Sequence, residues 1–216
     1  MVFFDAVGTL IRPDPSVAVA YQRIGQKYGC DQPVEVLRRA FHASFAAEEA
    51  RDAAEGYRTN DARERERWWA IVKAVLPEVR DPEACFAELW DHFARPEHWC
   101  IEPATLEVLS HLTRQGLQVG LASNFDDRLL GIVQGMPVLM DHLEAVLVSS
   151  QVGWRKPAAQ FYAALCRVES GEEEFAPHEV LMVGDDRVND YEGARAAGLH
   201  AVLLDESTPL SHLLRF

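Results

Sequence analysis

The sequence predicts an α/β fold, with a parallel β-sheet covered by helices on both faces and an all-helical segment inserted near the N-terminus. From about residue 97 onward, short apolar runs alternate with helical patterns, as is typical of strands buried on both faces of a parallel sheet. Between about residues 16 and 93 the apolar spacing is helical and shows no strand pattern. A chain of 216 residues is long enough for such a core and a smaller second domain.

The first predicted strand is the apolar run Val2–Phe4, and the helical insertion follows it. Four helices are expected there, because apolar residues recur at intervals of three and four and therefore share one helical face. Gly29 ends the first helix, Pro33 opens the second and Pro77 follows the third, while an Asp-Pro pair at 81–82 opens the fourth. We expect this insertion to form a cap over the sheet.

The later elements alternate as a parallel sheet requires. In order, they are helix 103–115, strand 117–122, strand 145–148, helix 157–168, strand 180–183, helix 189–197 and strand 201–204. A short acidic run at 172–174 is expected to be a solvated loop. We therefore predict a core domain of residues 1–13 and 96–216 and a cap domain of residues 14–95.

Composition limits the partners and the compartment of the protein. A formal net charge of −13 repels phosphate backbones, so we expect no nucleic-acid partner. No run of 18 uncharged apolar residues and no secretion-signal pattern occurs, so we expect no membrane partner. The four cysteines form no CxxC pair, and the spacing of His92, His98 and Cys100 fits no common zinc pattern. These features predict a cytoplasmic protein, either a monomer or a homodimer.

Polar residues follow four predicted strands at the points where the strands end. In chain order they are Asp5, then Ser123 and Asn124, then Arg155 and Lys156, then Asp185, Asp186 and Asp190. Because sites in parallel sheets lie beyond the carboxyl ends of the strands, we expect these groups to meet in one cleft. Several carboxylates and a lysine together are costly without a counter-ion, and oxygen ligands suit Mg²⁺. The sequence therefore predicts a magnesium site.

The same residues predict phosphoryl chemistry. A carboxylate beside Mg²⁺ can attack an electrophilic phosphorus and form an acyl phosphate, which makes Asp5 the candidate nucleophile. Lys156 and Ser123 are expected to stabilise the charge that spreads over the transferring group. Thr9, which follows the turn at Gly8, is expected to help hold this loop.

These four motifs resemble those of the haloacid dehalogenase (HAD) superfamily. FFDAVGTL resembles its nucleophile loop, LASN its Ser/Thr motif, VGWRKPAAQFY its lysine motif and VGDDRVNDYEGARAAG its acidic GDxxxxD motif. The resemblance covers residues 1–12 and about 97–205. It implies a Rossmann-like core with a C1 cap inserted after the first motif, as in subclass I and similar to subfamily IA. It also implies an Mg²⁺ cofactor and a small-molecule, phosphorylated substrate.

The resemblance also implies roles for individual residues of this sequence. They are catalysis by Asp5, Ser123 and Lys156, substrate binding by Thr9 and Asn124, and metal ligation by Asp5, the backbone carbonyl of Val7, Asp185 and Asp190.

Val7 departs from the pattern of the phosphatases that the sequence resembles. In that branch the residue two after the nucleophile is a second Asp, which protonates the leaving group and then activates water. General acid–base help is worth roughly 10²–10⁴-fold, so turnover of ordinary phosphomonoesters is expected to be impaired. The loop DAVGTL is also close to the DAYGTL of hydrolytic 2-haloacid dehalogenases, whose halide leaving group needs no proton.

Three functions therefore stand as hypotheses. A dehalogenase would use Asn124 and Tyr162, with Arg38 or Arg39 near the expected halide-binding position. The dehalogenases are metal-independent, however, and an intact GDxxxxD motif favours metal and phosphoryl chemistry. The favoured hypothesis is thus Mg²⁺-dependent hydrolysis of a small phosphorylated metabolite. The third hypothesis is a catalytically weak protein that binds a phosphorylated ligand or a protein partner.

Overall fold

The computed structural model describes residues 1–167 and 174–215 and is built around a five-stranded parallel sheet. The strands of the chain are β1 (Val2–Phe4), β2 (Ile11–Pro13), β3 (Trp99–Ile101), β4 (Val119–Ser123), β5 (Ala145–Val148), β6 (Leu181–Gly184) and β7 (His200–Leu203). The main sheet has the order β5-β4-β1-β6-β7, and all neighbouring strands are parallel. Strands β2 and β3 form a separate antiparallel ribbon. The predicted α/β class is confirmed.

Four helices lie between β2 and β3, as predicted for an inserted cap. The helices of the chain are α1 (Val17–Lys27), α2 (Val34–Ala54), α3 (Asp61–Val75), α4 (Pro82–His92), α5 (Thr105–Arg114), α6 (Arg128–Gln134), α7 (Pro137–Met140), α8 (Ser149–Val152), α9 (Ala159–Leu165) and α10 (Gly193–Ala196). Short 3₁₀ helices cover Pro96–His98, Pro177–Glu179 and Leu210–Arg215, and a π-helix covers Arg187–Glu192.

Strand β1 lies at the centre of the sheet because both of its faces are apolar. Val2 and Phe4 pack into one hydrophobic cluster, and Phe3 packs into another on the opposite face. Burial of each phenylalanine contributes about 1.5–3 kcal/mol. The neighbours of β1 are β4 and β6, which the chain reaches through crossovers on opposite sides. The polar residues that end these three strands are therefore adjacent.

The cap helices have a hydrophobic cluster of their own. Its buried residues come from the segment between Tyr21 and Leu89, and they are distinct from those that cover the sheet. Side-chain caps begin two of the helices, since Asn60 accepts from the backbone N–H of Arg63 and Asp81 from that of Ala84. The cap boundaries at residues 14 and 95 stay a prediction that this separate cluster supports.

The cap contacts the core at a second place besides the β2–β3 ribbon. The loop between α2 and α3 runs antiparallel to the loop after α8, with Arg58 opposite Trp154. The backbone N–H of Thr59 donates to the carbonyl of Gly153 over 3.1 Å, and that of Arg155 donates to Tyr57 over 2.9 Å. The cap is thereby bonded to the loop that leads into Lys156.

The structure corrects several predicted bounds. The helix expected at 189–197 is a π-helix followed by α10, because Asp190 turns into the interior while Asp186 accepts from two N–H groups at the helix start. The helix expected at 157–168 begins two residues later, after the extended residue Ala158. Residue 168 and most of the acidic run at 172–174 lie outside the described residues. In the described part of the chain, no helix has the length and apolarity needed to cross a membrane.

A stacked histidine pair lies where α4 returns to the core. The rings of His92 and His98 lie 3.7 Å apart between centroids, and Nδ1 of His98 is 2.7 Å from the backbone carbonyl of His92. Burial, and then the positive charges of His98 and Arg95, lower the pKa of His92 to about 4, which Glu88 only partly offsets and Lys27 reinforces.

We predict that this histidine makes the protein less stable in acid. Its folded pKa lies below that of the unfolded chain, so stability is intact above about pH 6.5 and falls, by about 1–3 kcal/mol, as the pH drops towards 4. His92→Phe keeps an aromatic ring but cannot be protonated, and should flatten this part of the curve of unfolding free energy against pH. The exposed control His178→Gln should leave the curve unchanged. An equal slope in His92→Phe and wild type would contradict the prediction.

Candidate active site

A buried ammonium group joins three strand ends. The Nζ atom of Lys156 donates to Oδ1 of Asp5 over 2.8 Å, to Oδ1 of Asp190 over 2.6 Å and to the backbone carbonyl of Ala122 over 2.9 Å. These three acceptors use all three protons of the ammonium. Burial alone would lower the pKa of Lys156, but Asp190 and Asp5 outweigh it and raise that pKa. Lys156 is therefore a fixed positive charge.

A third carboxylate completes the cluster. Carboxylate oxygens of Asp5, Asp185 and Asp190 lie within 4.8 Å of one another, and Thr9 Oγ1 donates to Asp185 Oδ1 over 3.3 Å. Burial, and then the charge of Asp5, raise the pKa of Asp185. Burial raises the pKa of Asp190 to about 7 against the opposing charge of Lys156. The site thus has more negative charge than one lysine balances.

The cluster fits a divalent cation. Its donors are all oxygens, the ligands that hard cations prefer, and two glycines leave room for them. Gly8 has a φ of +89°, and a Cβ there would lie 2.6 Å from Asp185 Oδ2. A Cβ on Gly184 would lie 2.1 Å from Asp190 Oδ2. Side chains at these two positions would displace the carboxylates. Among the described residues, this set has metal-ligand geometry, and His92, His98 and Cys100 do not form another.

Asn124 holds the lysine loop against the end of β4. Its Oδ1 accepts from the backbone N–H of Lys156 over 2.7 Å, and its Nδ2 donates to the Lys156 carbonyl over 3.0 Å. Ser123, which ends β4, is buried beside it. Ser123 does not cap a helix, because α6 begins at Arg128 with Asp127 before it.

A cavity of about 480 Å³ separates the carboxylate cluster from the cap. Most of the predicted site residues line it, namely Asp5, Val7, Ser123, Asn124, Lys156, Asp185 and Asp190. Thr9 is the exception, because it is buried behind Asp185 and its hydroxyl faces that residue. The geometry of this cavity therefore gives no support to the prediction that Thr9 binds substrate. Arg38 and Arg39 are exposed on α2 and do not line the cavity either.

A network of buried charges that the sequence did not predict lies next to the site. Arg155 is buried, and its guanidinium contacts Glu64, Asp52 and Glu49 of the cap. Arg67 pairs with Asp52 and Glu49 from the other side. The signal in the sequence was weak. Arginines four residues apart on α3 indicate one helical face, but nothing local shows that this face is buried.

Burial and neighbouring charges shift the pKa values of the acids in this network. Burial would raise the pKa of Glu64, but Arg155, a hydrogen bond from Thr59 and Arg67 together lower it. Burial raises the pKa of Asp52 in spite of the arginines around it. Each charge therefore depends on its partners, because an ion left alone here would be buried without compensation.

Comparison with known proteins identifies the family. The model of the haloacid dehalogenase-like hydrolases matches residues 1–198. The chain belongs to this family. The resemblance seen in the four motifs is therefore confirmed, and so is the inserted helical cap.

Relatives of this HAD-like hydrolase span nearly its whole length. Human haloacid dehalogenase-like hydrolase domain-containing protein 3 is 28% identical, and the alignment covers 99% of this chain and 89% of that protein. A shorter match, 33% identical, covers 51% of this chain and 45% of the ribulose-1,5-bisphosphate 5-phosphatase of Halopiger xanaduensis.

Solved structures share the fold of this HAD-like hydrolase. The magnesium-bound HAD-hydrolase YfnB of Bacillus subtilis has a TM-score of 0.74 at 16% identity, covering 100% of this chain and 98% of YfnB. The L-2-haloacid dehalogenase of Xanthobacter autotrophicus, with chloropropionic acid covalently bound, has a TM-score of 0.70 at 20% identity, covering 99% and 82%. Likeness at this level of identity shows the architecture alone. Members of the family typically use a divalent metal, and the acidic cluster described above could bind one.

We predict that Arg155→Met destabilises this HAD-like hydrolase by about 3–5 kcal/mol, because Glu64 is then left buried without its main partner. Urea unfolding followed by circular dichroism measures the loss. The double variant with Glu64→Gln should lose less than the sum of the two single variants.

The matched control is Arg51→Met, which removes surface pairs with Glu48, Glu55 and Glu66 and should cost far less stability than Arg155→Met. A loss in Arg155→Met no greater than in this control would show that the buried network carries no special stability.

Proposed function

We propose that this protein is an Mg²⁺-dependent phosphatase that hydrolyses a small phosphomonoester through an aspartyl-phosphate on Asp5. The observation that carries the proposal is the convergence of Asp5 and Asp190 on the ammonium of Lys156, with Asp185 in the same carboxylate cluster, in the lining of one cavity. Phosphoryl transfer to an aspartate needs a positive charge near the oxygens of the phosphoryl group and a carboxylate beside its phosphorus.

Asp5 is the proposed nucleophile. Lys156 holds Oδ1 of Asp5, so we assign the attack on phosphorus to Oδ2. A bond forms between this oxygen and phosphorus while the bond to the leaving oxygen breaks, and water then hydrolyses the acyl phosphate. Asp5, the Val7 carbonyl and Asp185 would hold the Mg²⁺, with Asp190 close by. When bound, the ion would supply positive charge that offsets the carboxylates and the transferring phosphoryl group.

The other site residues have supporting roles in this proposal. We assign Ser123, which ends β4 and lines the cavity, to donate its hydroxyl proton to a phosphate oxygen. Both oxygens of Asp190 have donors, from Lys156 and from the backbone of Asp186, so we assign it mainly to positioning Lys156. Thr9 positions Asp185, and Asn124 positions the lysine loop while it lines the cavity.

The dehalogenase hypothesis fits the site less well. A 2-haloacid carries a carboxylate, which would meet the acidic cluster of Asp185 and Asp190 next to Asp5. Neither Arg38 nor Arg39 reaches the cavity to offset that charge, and Arg38 pairs with Glu35 at the surface. Tyr162 is buried, with its hydroxyl on the backbone carbonyl of Asn189.

The first test is hydrolysis of p-nitrophenyl phosphate, whose leaving group needs no proton. We expect activity with Mg²⁺, its loss in EDTA, and a loss of at least about 10³-fold in Asp5→Asn. The control Asp141→Asn changes an exposed aspartate outside the cavity and should keep full activity. Metal-independent release of halide from 2-chloropropionate would favour the dehalogenase instead. Binding of phosphate without turnover would favour the ligand-binding protein.

The second test concerns the missing acid. Val7 lines the cavity beside Asp5, so an aspartate there could protonate an alkoxide leaving group. We expect Val7→Asp to raise kcat for an alkyl phosphate such as glycerol phosphate by about 10–10³-fold, with a smaller gain for p-nitrophenyl phosphate. Val7→Asn is the matched control, because it has the same size and polarity but no acid. A gain no larger than that of Val7→Asn would mean that residue 7 does not limit turnover.

A further inference from the structure

Aromatic rings from the cap and from adjoining core residues line the cavity. On one side, the ring of Phe41 stacks on those of Phe45 and Trp68, with centroids 5.9 and 6.4 Å apart. On the other side, Trp99 makes edge contacts with Phe93 and Phe125 at 6.3 and 6.0 Å. All six rings line the cavity, and so do the three carboxylates of the cluster. A bound phosphoryl group would therefore direct the rest of its molecule towards aromatic surface.

The cations that line the cavity are all paired with acids. Lys156 and Arg155 are held by the carboxylates described above, and Arg128 makes a two-pronged contact with Asp126, at 2.7 and 2.8 Å. The guanidinium of Arg128 also lies over the ring of Trp90, 3.4 Å from its centroid. Among the residues described, no lining arginine or lysine is left to receive a second anionic group of a substrate.

The uncompensated charge in the cavity is negative. Asp185 and Asp186 line it at the site, whereas Glu49 at the cap is paired with Arg67 and Arg155. A carboxylate or second phosphate on the substrate would lose its hydration among aromatic rings and find no unpaired cation. An uncharged ring would bury apolar surface and could stack on Phe45 or Trp68. The cavity therefore discriminates by charge as well as by shape.

We propose that the substrates are phosphomonoesters whose leaving group is an uncharged aromatic alcohol, and that esters carrying a second anionic group are disfavoured. This inference rests on the proposed phosphatase function. It agrees with the absence of an acid at Val7, because an aryloxide leaves without prior protonation. The bond from phosphorus to the aryl oxygen breaks, its electron pair stays on that oxygen, and water supplies the proton. A second water then releases phosphate from Asp5.

The test compares 2-naphthyl phosphate with 4-carboxyphenyl phosphate, whose phenols are of similar acidity but differ in charge. We expect kcat/KM with Mg²⁺ to be at least about tenfold higher for the naphthyl ester. His42 is exposed on α2 and lines the cavity, so His42→Lys would add an unpaired cation there. This variant should raise kcat/KM for the carboxyphenyl ester about tenfold and so reduce the preference for the naphthyl ester. Ala43→Lys adds the same charge next along the helix, outside the cavity, and should leave the preference unchanged.

The possible outcomes distinguish a failure of the proposed substrate preference from a failure of the proposed phosphatase function. Equal kcat/KM for the two esters, or an equal response in His42→Lys and Ala43→Lys, overturns the inference and leaves the phosphatase in place. If neither ester nor p-nitrophenyl phosphate is hydrolysed, the proposed function fails. Calorimetry with 2-naphthyl and 4-carboxyphenyl phosphonates then measures which of the two groups the cavity binds more tightly, independently of turnover. Tighter binding of the naphthyl phosphonate supports it, and equal binding overturns it.

Discussion

The ammonium of Lys156 is the interaction on which the arrangement of the site depends. It contacts groups from the ends of β1 and β4 and from the π-helix after β6, and all three acceptors are at hydrogen-bond distance. Buried carboxylates would repel one another and the fold around them without this charge, at a cost of several kcal/mol per ion. The same requirement explains Gly8 and Gly184, where a side chain would occupy the space of the acids. The chemistry of the site and the packing of the strand ends thus both require a lysine at position 156 and glycines at positions 8 and 184.

The parts of this structure that the sequence predicted are those that local sequence patterns indicate. Apolar runs gave β1 and β6, three-and-four spacing gave the four cap helices, and the strand-end motifs gave Asp5 and Lys156. The β2–β3 ribbon and α6 to α8 were missed, because three to seven residues are too few to show a period. Arg155 was noted only as part of a motif. Its partners Glu64 and Glu49 lie 91 and 106 residues away on two cap helices, and no local pattern encodes that contact.

This contact ties the cap to the site through one short loop. Asn124 of the core holds the backbone of Lys156, and the preceding residue, Arg155, is held by the acids of α2 and α3. The hydrogen bonds of Tyr57 and Thr59 with this part of the core add backbone support. A displacement of the cap would therefore strain the loop that carries the ammonium. The position of the cap and the position of Lys156 are consequently coupled, although the cap and the sheet have separate hydrophobic clusters.

Under the proposed phosphatase function, the valine at position 7 and the aromatic lining of the cavity are consistent with each other. Val7 removes the group that would protonate a poor leaving group, and by itself this is only a loss. The aromatic cap wall and the paired arginines favour molecules that are apolar beyond the phosphoryl group. Aromatic alcohols combine both properties, because their oxyanions are stable and their rings are apolar. A sugar or alkyl ester would lack the acid that its leaving group needs and would bring no aromatic ring to stack on the rings of the cavity, so the first loop and the cap favour the same class of ester.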